Sequence, residues 1–163
     1  MAEQELGADV NAVDRMVQLR FRPLWLYVDQ VREFCGFFAR ATFGTDAVGE
    51  RVGLVVHELV ENAIRYGDER DLELSLERSG ERIMISVANT TSEQQVGSLR
   101  AFLSDLVQLP PEQAYSQALA ASVTRPEGQS GLGLARVRYE GQCELELHVS
   151  PGKVRMTARG AAA

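Results

Sequence analysis

Strand-like segments come in adjacent pairs along this chain, and that order limits the folds open to it. A segment of alternating apolar and polar residues near the N-terminus, residues 16–23, predicts an edge strand. Two hairpins are predicted, from residues 72–77 and 83–88 around Ser79-Gly80, and from residues 143–149 and 153–159 around Pro151-Gly152. Because strands joined by short turns pair antiparallel, we expect a mostly antiparallel sheet.

Two long helices are predicted between the first strand and the first hairpin. Apolar residues at helical spacing predict one helix over residues 24–43. The second helix runs to about Tyr66, and either Thr45 or Asp46 can cap its start by accepting a bond from a free backbone N–H group. Strands and helices therefore do not alternate one by one, as they would in a parallel α/β protein.

The segment from residue 89 to residue 127 is too long for a plain loop. It is expected to hold two short helices, the second beginning at Pro110-Pro111, and a glycine loop then leads into a helix ending near Glu140. The full order predicts an α+β fold. We expect a two-layer α/β sandwich with a mixed, mostly antiparallel sheet and helices on one face.

Composition excludes several classes of function. The 163 residues, 45% of them apolar, suit one domain over residues 15–160 after an arm at residues 1–14. With 17 basic and 23 acidic residues, the formal net charge is −6, which disfavours nucleic acid as a partner. No apolar run approaches the roughly 20 residues that span a bilayer, and the acidic N-terminus is unlike a signal peptide. We expect a cytoplasmic protein without a membrane partner, whose Cys35 and Cys143 are reduced thiols.

The helix over residues 48–66 has two chemically different faces. Its apolar residues share one side, whereas Glu58, Asn62 and Arg65 fall in one row on the other side, because they are four and three residues apart. An Asn oxygen suits Mg²⁺, a neighbouring Glu can take a proton, and an Arg can meet phosphate oxygens. The alternative is an ordinary solvated helix face, which is what charged rows usually are. We interpret His57, beside the row, as a surface residue or one that supports the row from behind.

A second candidate site is the glycine loop before the last helix. Gly128, Gly131 and Gly133 allow the backbone to approach a ligand, and a helix N-terminus offers free N–H groups to phosphates. No Lys-Ser/Thr pair follows, so the loop is not a P-loop, and the spacing differs from that of a dinucleotide-binding fingerprint. Taken alone, the loop could equally be a flexible turn.

Together the two features resemble a known family. The string His57-Glu-Leu-Val-Glu-Asn62-Ala-Ile-Arg65-Tyr-Gly67 looks like the N-box of the histidine-kinase-like ATPases, which include gyrase, Hsp90, sensor kinases and anti-sigma kinases. Gly131-Leu132-Gly133-Leu134 looks like the second glycine box of that group. The resemblance covers residues 17–159 and implies the Bergerat-type ATPase fold, with residues 90–127 as a helical lid.

The resemblance implies roles for the residues of both boxes. Asn62 would hold Mg²⁺, and Glu58 would act as the catalytic base. Arg65 stands where the family often has a Lys near the phosphates of ATP. The nucleotide phosphates would be cradled by the glycine loop, at Gly128, Gly131, Leu132 and Gly133.

One box departs from the family pattern. The usual Asp-x-Gly-x-Gly string corresponds here to residues 89–93, so Asn89 would accept the adenine amino group in place of Asp, and both glycines are missing. An amide oxygen is a weaker acceptor than a carboxylate. This pattern resembles a subgroup of anti-sigma-like kinases, related to those that control bacterial aggregation and biofilm signalling, in which Asn replaces this Asp.

Short members of the family resemble the anti-sigma serine/threonine kinases of bacterial partner-switching systems. The first hypothesis is therefore an ATP- and Mg²⁺-dependent serine/threonine protein kinase that acts on a small anti-sigma-antagonist-like protein. The second is a non-catalytic interaction module on the same fold, which would recruit a sigma factor or an antagonist through the lid helices. A detached sensor-kinase domain is a third. The lid residues Leu99, Phe102, Leu103 and Leu106 are expected to pack on the domain rather than bind a partner. A homodimer through the edge of the first strand is a further alternative.

Overall fold

A five-stranded antiparallel sheet forms one layer of the molecule. The computed structural model describes residues 13–126 and 131–162. The strands follow the spatial order β1-β2-β3-β5-β4, and every pairing among these described strands is antiparallel. Their bounds are β1 Val13–Phe21, β2 Leu72–Ser79, β3 Arg82–Thr90, β4 Glu144–Ser150 and β5 Lys153–Ala161.

Two long helices form most of the second layer. A 3-10 turn, Trp25–Tyr27, leads into α1 (Val28–Phe43), and α2 spans Asp46–Tyr66. Of the two expected capping residues, Thr45 caps α2, because its hydroxyl accepts a 3.3 Å hydrogen bond from the Val48 N–H group. The two helices approach closely at two glycines, since a Cβ at Gly36 would lie 2.9 Å from the Gly49 carbonyl oxygen.

The main core lies between the sheet and these helices. Strand β2 contributes Leu72, Leu74 and Leu76, all with no measurable exposure, because alternate residues of a strand point to one face. The facing side of α2 supplies its buried apolar row, Val48, Val52, Val55, Val56, Leu59 and Ala63. This is the row that the helical spacing predicts.

The opposite face of the sheet is polar. At its centre lie small polar side chains, and the hydroxyl groups of Ser86 and Thr157 form a hydrogen bond with 2.9 Å between Oγ and Oγ1. Long charged side chains flank this centre in ion pairs, such as Lys153 with Glu73 at 3.0 Å and Arg159 with Glu146 at 3.1 Å. Helix α2 packs on the other face of the sheet, and no described helix covers the polar face to a comparable extent. The fold therefore has two layers.

The remaining helices form a lid and the element beneath it. The lid consists of α3 (Glu93–Gln108) and α4 (Pro111–Ser122), and α5 spans Leu132–Tyr139. Leu103 and Leu106 of the lid are buried, and Leu99 and Phe102 pack against the core at intermediate exposure. The expectation that these four residues pack on the domain is confirmed.

The α+β fold expected from the order of elements is confirmed, with some differences in detail. Strand β1 begins at Val13, three residues before the predicted strand, and therefore includes the last two residues of the expected arm. The predicted first helix begins as a 3-10 turn. The described sheet is wholly antiparallel rather than mixed. No helix within the described residues is long and apolar enough to cross a membrane.

Candidate functional site

A cleft of about 860 Å³ opens between α2, the lid and the start of α5. Its volume falls within the range of pockets that hold small ligands and cofactors. Both sequence-predicted boxes meet here. Six of the predicted site residues from α2 and the glycine loop line it directly: Glu58, Asn62, Arg65, Gly131, Leu132 and Gly133.

The polar row of α2 forms one wall of the cleft. Asn62 lies at its middle and is half-buried. At the C-terminal end, the Arg65 guanidinium is 3.1 Å from Glu61 and lies 5.3 Å from the centre of the Trp25 ring. Arg65, which lines the cleft, is thereby held by a carboxylate and an aromatic face. The predicted row is thus a wall of a cleft and differs from an ordinary solvated helix face.

Glu58 is the buried end of the row. It is only 7% exposed, and its Oε1 accepts a 2.6 Å hydrogen bond from Arg136 Nη1 on α5. Burial raises the pKa of the Glu58 carboxyl above its ordinary value, and the Arg136 charge offsets part of that rise. A carboxylate with a raised pKa is a stronger proton acceptor than an exposed one.

Arg136 belongs to a larger polar network on α5. Its Nε and Nη2 lie 3.2 Å from the two oxygens of Glu140, and this bonding lowers the pKa of the Glu140 carboxyl. A hydrogen bond to Glu140 in turn raises the pKa of the Tyr115 hydroxyl, which comes from α4 of the lid. Arg136 was not among the predicted site residues. The i,i+4 spacing to Glu140 is visible in the sequence, but the contact with Glu58 joins residues 78 positions apart.

The glycine loop enters α5 at the opposite wall. Gly131 has a φ of +71°, and a Cβ added there would overlap the Phe102 ring of the lid. A Cβ at Gly133 would lie 2.6 Å from Glu58 Oε2, so only glycine leaves space for the carboxylate. Both glycines thus meet close neighbours. The predicted site residue Gly128 lies outside the described residues.

The lid is fastened to α5 beside the site. Arg138 Nη1 donates to the carbonyl oxygens of Leu106, at 2.6 Å, and of Leu109, at 3.0 Å. These are carbonyls at the C-terminal end of α3, which a cation satisfies well. Tyr115 of α4 stacks on Tyr139 of α5 at 5.0 Å between ring centres. The lid therefore covers the cleft as a packed structure.

Asn89, the predicted adenine acceptor, is not among the residues that line the cleft. Its side chain is buried at the end of β3, where Nδ2 donates to the Thr90 carbonyl at 3.2 Å. It lies against the backbone of Gly67, directly after Tyr66, which does line the cleft. Asn89 therefore borders the end of the cleft from behind Gly67, and its role in binding stays a prediction.

His57 links the cleft to α1. Its Nε2 is 3.3 Å from Glu61, and its Nδ1 is buried 3.9 Å from Asp29, beyond hydrogen-bond distance. Within residues 13–126 and 131–162, no group of three or more His, Cys, Asp and Glu side chains could hold a metal ion.

Comparison with known proteins bears on the fold. The chain matches no protein-family model and no curated protein. Its structure is similar to a chain of the SiaB–SiaC complex from Pseudomonas aeruginosa, with a TM-score of 0.67 and 14% sequence identity. The similarity covers 90% of this chain and 89% of that chain. At this identity it shows a common fold over nearly the whole length of both chains.

Proposed function

We propose that this chain is a histidine-kinase-like ATPase of the anti-sigma serine/threonine kinase type, which binds Mg-ATP in the cleft. The single observation that carries the proposal is the meeting of two distant segments. The row of Glu58, Asn62 and Arg65 faces the Gly131–Gly133 loop across a cleft of nucleotide size. Taken alone, the polar row could be a solvated helix face and the loop could be a flexible turn. Neither of these alternatives accounts for a cleft that both segments line together.

The residues present fit the chemistry of a magnesium nucleotide. Asn62 would offer its side-chain oxygen to Mg²⁺, which usually takes one or two protein ligands together with phosphate oxygens and water. Arg65 and the N-terminus of α5 offer positive charge and N–H groups suited to phosphates. Bound Mg-ATP would supply the phosphoryl group, and its Mg²⁺ ion would neutralise the negative charge on the oxygens of that group during transfer.

In this proposal Glu58 acts as the base. Its burial and raised pKa suit it to take the proton of a serine or threonine hydroxyl. In the arrangement described, one carboxylate oxygen is engaged by Arg136 and the other lies against Gly133. We infer that Arg136 acts as a positioning residue, which keeps the carboxylate charged and directed toward the cleft while a substrate hydroxyl approaches.

The substrate in this proposal is a small protein, which this chain phosphorylates on a hydroxyl group in the cytoplasm, where ATP is available. Support comes from the neighbour of similar fold, which was solved within a complex of two proteins. An anti-sigma-antagonist-like protein or a sigma factor is the expected kind of partner.

Calorimetry with Mg-ATP and Mg-ADP tests the proposal. We expect heat and a thermal shift with the wild-type chain, and at least a tenfold loss of affinity for Asn62→Ala. The control is Glu50→Ala, which lies on the exposed part of α2 outside the cleft and should bind normally. Glu58→Gln should keep nucleotide binding and lose phosphoryl transfer. Absence of heat and of any thermal shift with both nucleotides would overturn the proposal.

A second candidate function is a non-catalytic interaction module, and the Asn89 region favours it. The first glycine box lacks both of its glycines. The Asn89 side chain packs against Gly67 and is not among the residues that line the cleft. In this case a protein partner, once identified by co-purification, should bind Glu58→Ala and Asn62→Ala as strongly as the wild type. Loss of partner binding in both variants would instead tie recognition to the nucleotide site.

A further inference from the structure

One side of the lid helix α3 faces into the cleft. The α3 residues that line the cleft are Gln95, Ser98, Leu99 and Phe102. Since the last three follow the first by three, four and seven residues, all of them lie on one side of the helix. Leu99 and Phe102 also pack against the core, whereas Gln95 and Ser98 are exposed. The cleft therefore has polar groups on the lid as well as on α2.

Two contacts fix the direction in which α3 runs along the cleft. Just before α3 begins, Thr91 Oγ1 donates a 2.8 Å hydrogen bond to the carbonyl oxygen of Tyr66, the last residue of α2. Seven residues after Gln95, the Phe102 ring fills the space where a Cβ of Gly131 would lie. Gln95 is therefore near the Tyr66 end of the cleft, and Phe102 is at the glycine loop, about 10 Å farther along the helix.

The proposed phosphate site lies at the glycine-loop end of the cleft. A Cβ at Gly133 would lie 2.6 Å from Glu58 Oε2, so the start of α5 and the proposed base are neighbours. Tyr66 follows Glu58 by eight residues on α2, which is about 12 Å along the helix axis. A nucleotide whose phosphates lie at the start of α5 would therefore have its base at the other end, near Tyr66 and Gln95.

At the base end of the cleft, the lid offers a carboxamide group. The Gln95 side chain lines the cleft and makes no hydrogen bond with another residue in the described part of the chain. Its oxygen and its NH₂ group are therefore available to a ligand. Asn89, by contrast, packs against Gly67 and does not line the cleft. Leu99, one turn after Gln95, adds an apolar surface of the kind that binds a flat ring.

We propose, on the basis of the proposed function, that Gln95 of the lid recognises the adenine base in place of Asn89. The carboxamide oxygen can accept a hydrogen bond from the 6-amino group, and the carboxamide nitrogen can donate one to N1 or N7 of the ring. Because Gln95 belongs to α3, a bound base would also hold the lid against the cleft. Base specificity would then depend on the lid rather than on the end of β3.

Calorimetry with two nucleotides tests this assignment. The probes are Mg-ATP and the magnesium complex of purine riboside triphosphate, which lacks only the 6-amino group and so leaves the acceptor for that group unpaired. We expect the wild-type chain to prefer Mg-ATP by at least about tenfold. Gln95→Met, which keeps the side-chain length without the amide, should bind the two nucleotides with similar affinity. The matched control is Gln94→Met, at an exposed position outside the lining residues, which should keep the preference.

Two further variants separate the contacts. Gln95→Glu keeps an acceptor for the 6-amino group and loses the donor, so it should bind both nucleotides more weakly and still prefer Mg-ATP. Loss of the preference in Gln95→Glu would contradict the contact with the amino group. Asn89→Ala, once thermal unfolding shows that it folds, should keep the wild-type preference, and its loss there would return base recognition to Asn89.

The outcomes distinguish this inference from the proposed function. Binding of Mg-ATP without any preference, or a preference that persists in Gln95→Met, would overturn the role of Gln95 and leave the nucleotide site standing. The same holds for a preference lost equally in Gln94→Met and Gln95→Met. If neither nucleotide bound to the wild-type chain, the proposed function and the role of Gln95 would both be wrong.

Discussion

The contact between Glu58 and Arg136 joins a buried carboxylate of the cleft to a guanidinium on α5. A carboxylate that is 7% exposed loses most of its hydration, and a 2.6 Å hydrogen bond to a guanidinium replaces part of it. Removing the guanidinium would leave the carboxylate buried without its partner. The pair therefore allows the electrostatic state of Glu58 to be tested without any ligand.

Arg136→Met should destabilise the fold more at high pH than at low pH. Without Arg136 the pKa of Glu58 rises further above its already raised value. Below that pKa the folded state holds a neutral carboxyl at little cost, and above it the folded state must hold a buried charge. We expect the free energy of unfolding to fall by about 2 kcal/mol at pH 8 and by less than about 1 kcal/mol at pH 5.

Urea unfolding at both pH values measures this difference. The matched control is Arg159→Met, which breaks the exposed ion pair with Glu146 and should change stability by less than about 0.5 kcal/mol at either pH. An equal loss for Arg136→Met at pH 5 and pH 8 would contradict a buried, charged Glu58 and would point to lost packing alone.

The residues of the cleft were predictable to different degrees. Helical spacing placed Glu58, Asn62 and Arg65 on one row, because the geometry of a single helix relates them. The contact of Arg136 with Glu58 depends on how α5 packs on α2, and no local pattern carries that information. The role of Asn89 depends on a side chain packed against Gly67, which is likewise a tertiary contact.

At the scale of elements, an aromatic side chain of the lid contacts the glycine loop where that loop enters α5. Phe102 of α3 lies over Gly131, which adopts a left-handed conformation at the start of α5. Sequence periodicity identified both lid helices and their apolar residues. It did not indicate that the ring would occupy the space beside the glycine, since that position depends on how the lid closes over the cleft.

Gly131→Ala should destabilise the fold by more than Gly44→Ala. Both glycines have a φ above +70°, so Ala costs each about 1 kcal/mol of backbone strain. A Cβ at Gly44 meets nothing within 4 Å, whereas a Cβ at Gly131 overlaps Phe102, so only the second variant must displace the lid. We expect an additional loss of about 1 kcal/mol or more from this overlap.

Thermal unfolding and hydrogen exchange of α3 measure the effect. Adding Phe102→Ala to Gly131→Ala should remove the extra strain, so that the two changes are non-additive. Exchange of the α3 amides should increase in Gly131→Ala and stay at the wild-type level in Gly44→Ala. Equal exchange in both variants would mean that Phe102 does not hold the lid on the loop.

At the scale of the whole molecule, local sequence patterns predict the hairpins of the sheet but not the order in which the hairpins pair. Both hairpins were predicted from their turns and alternation, and β2-β3 and β4-β5 pair as expected. The pairing of β3 with β5 joins the hairpins across about 70 residues of chain, and it brings β5 to an interior position. The apolar alternation of β5 is compatible with several neighbours, so only the packing of the whole sandwich selects this order.

The reactivity of the two cysteine thiols can be used to measure local and global unfolding of the two-layer sandwich. Cys35 of α1 is completely buried, and burial raises its pKa to about 12, whereas Cys143 is partly exposed with a pKa raised to about 11. Because the thiolate is the reactive form, both should react slowly with iodoacetamide at pH 8. Cys35 sits where α1 meets the core, so we expect its labelling to require global unfolding, while Cys143, beside Gly160, needs only a local opening.

Mass spectrometry of labelled peptides in increasing, sub-denaturing urea separates the two thiols. The rate for Cys35 should rise with urea as steeply as global unfolding does, and the rate for Cys143 should be higher and less dependent on urea. Dithiothreitol should leave the melting temperature unchanged, since both described cysteines are free thiols. If Cys35 reacted as fast as Cys143 and without dependence on urea, α1 would have to detach from the sandwich independently. The layer of helices and the sheet would then unfold in separate steps.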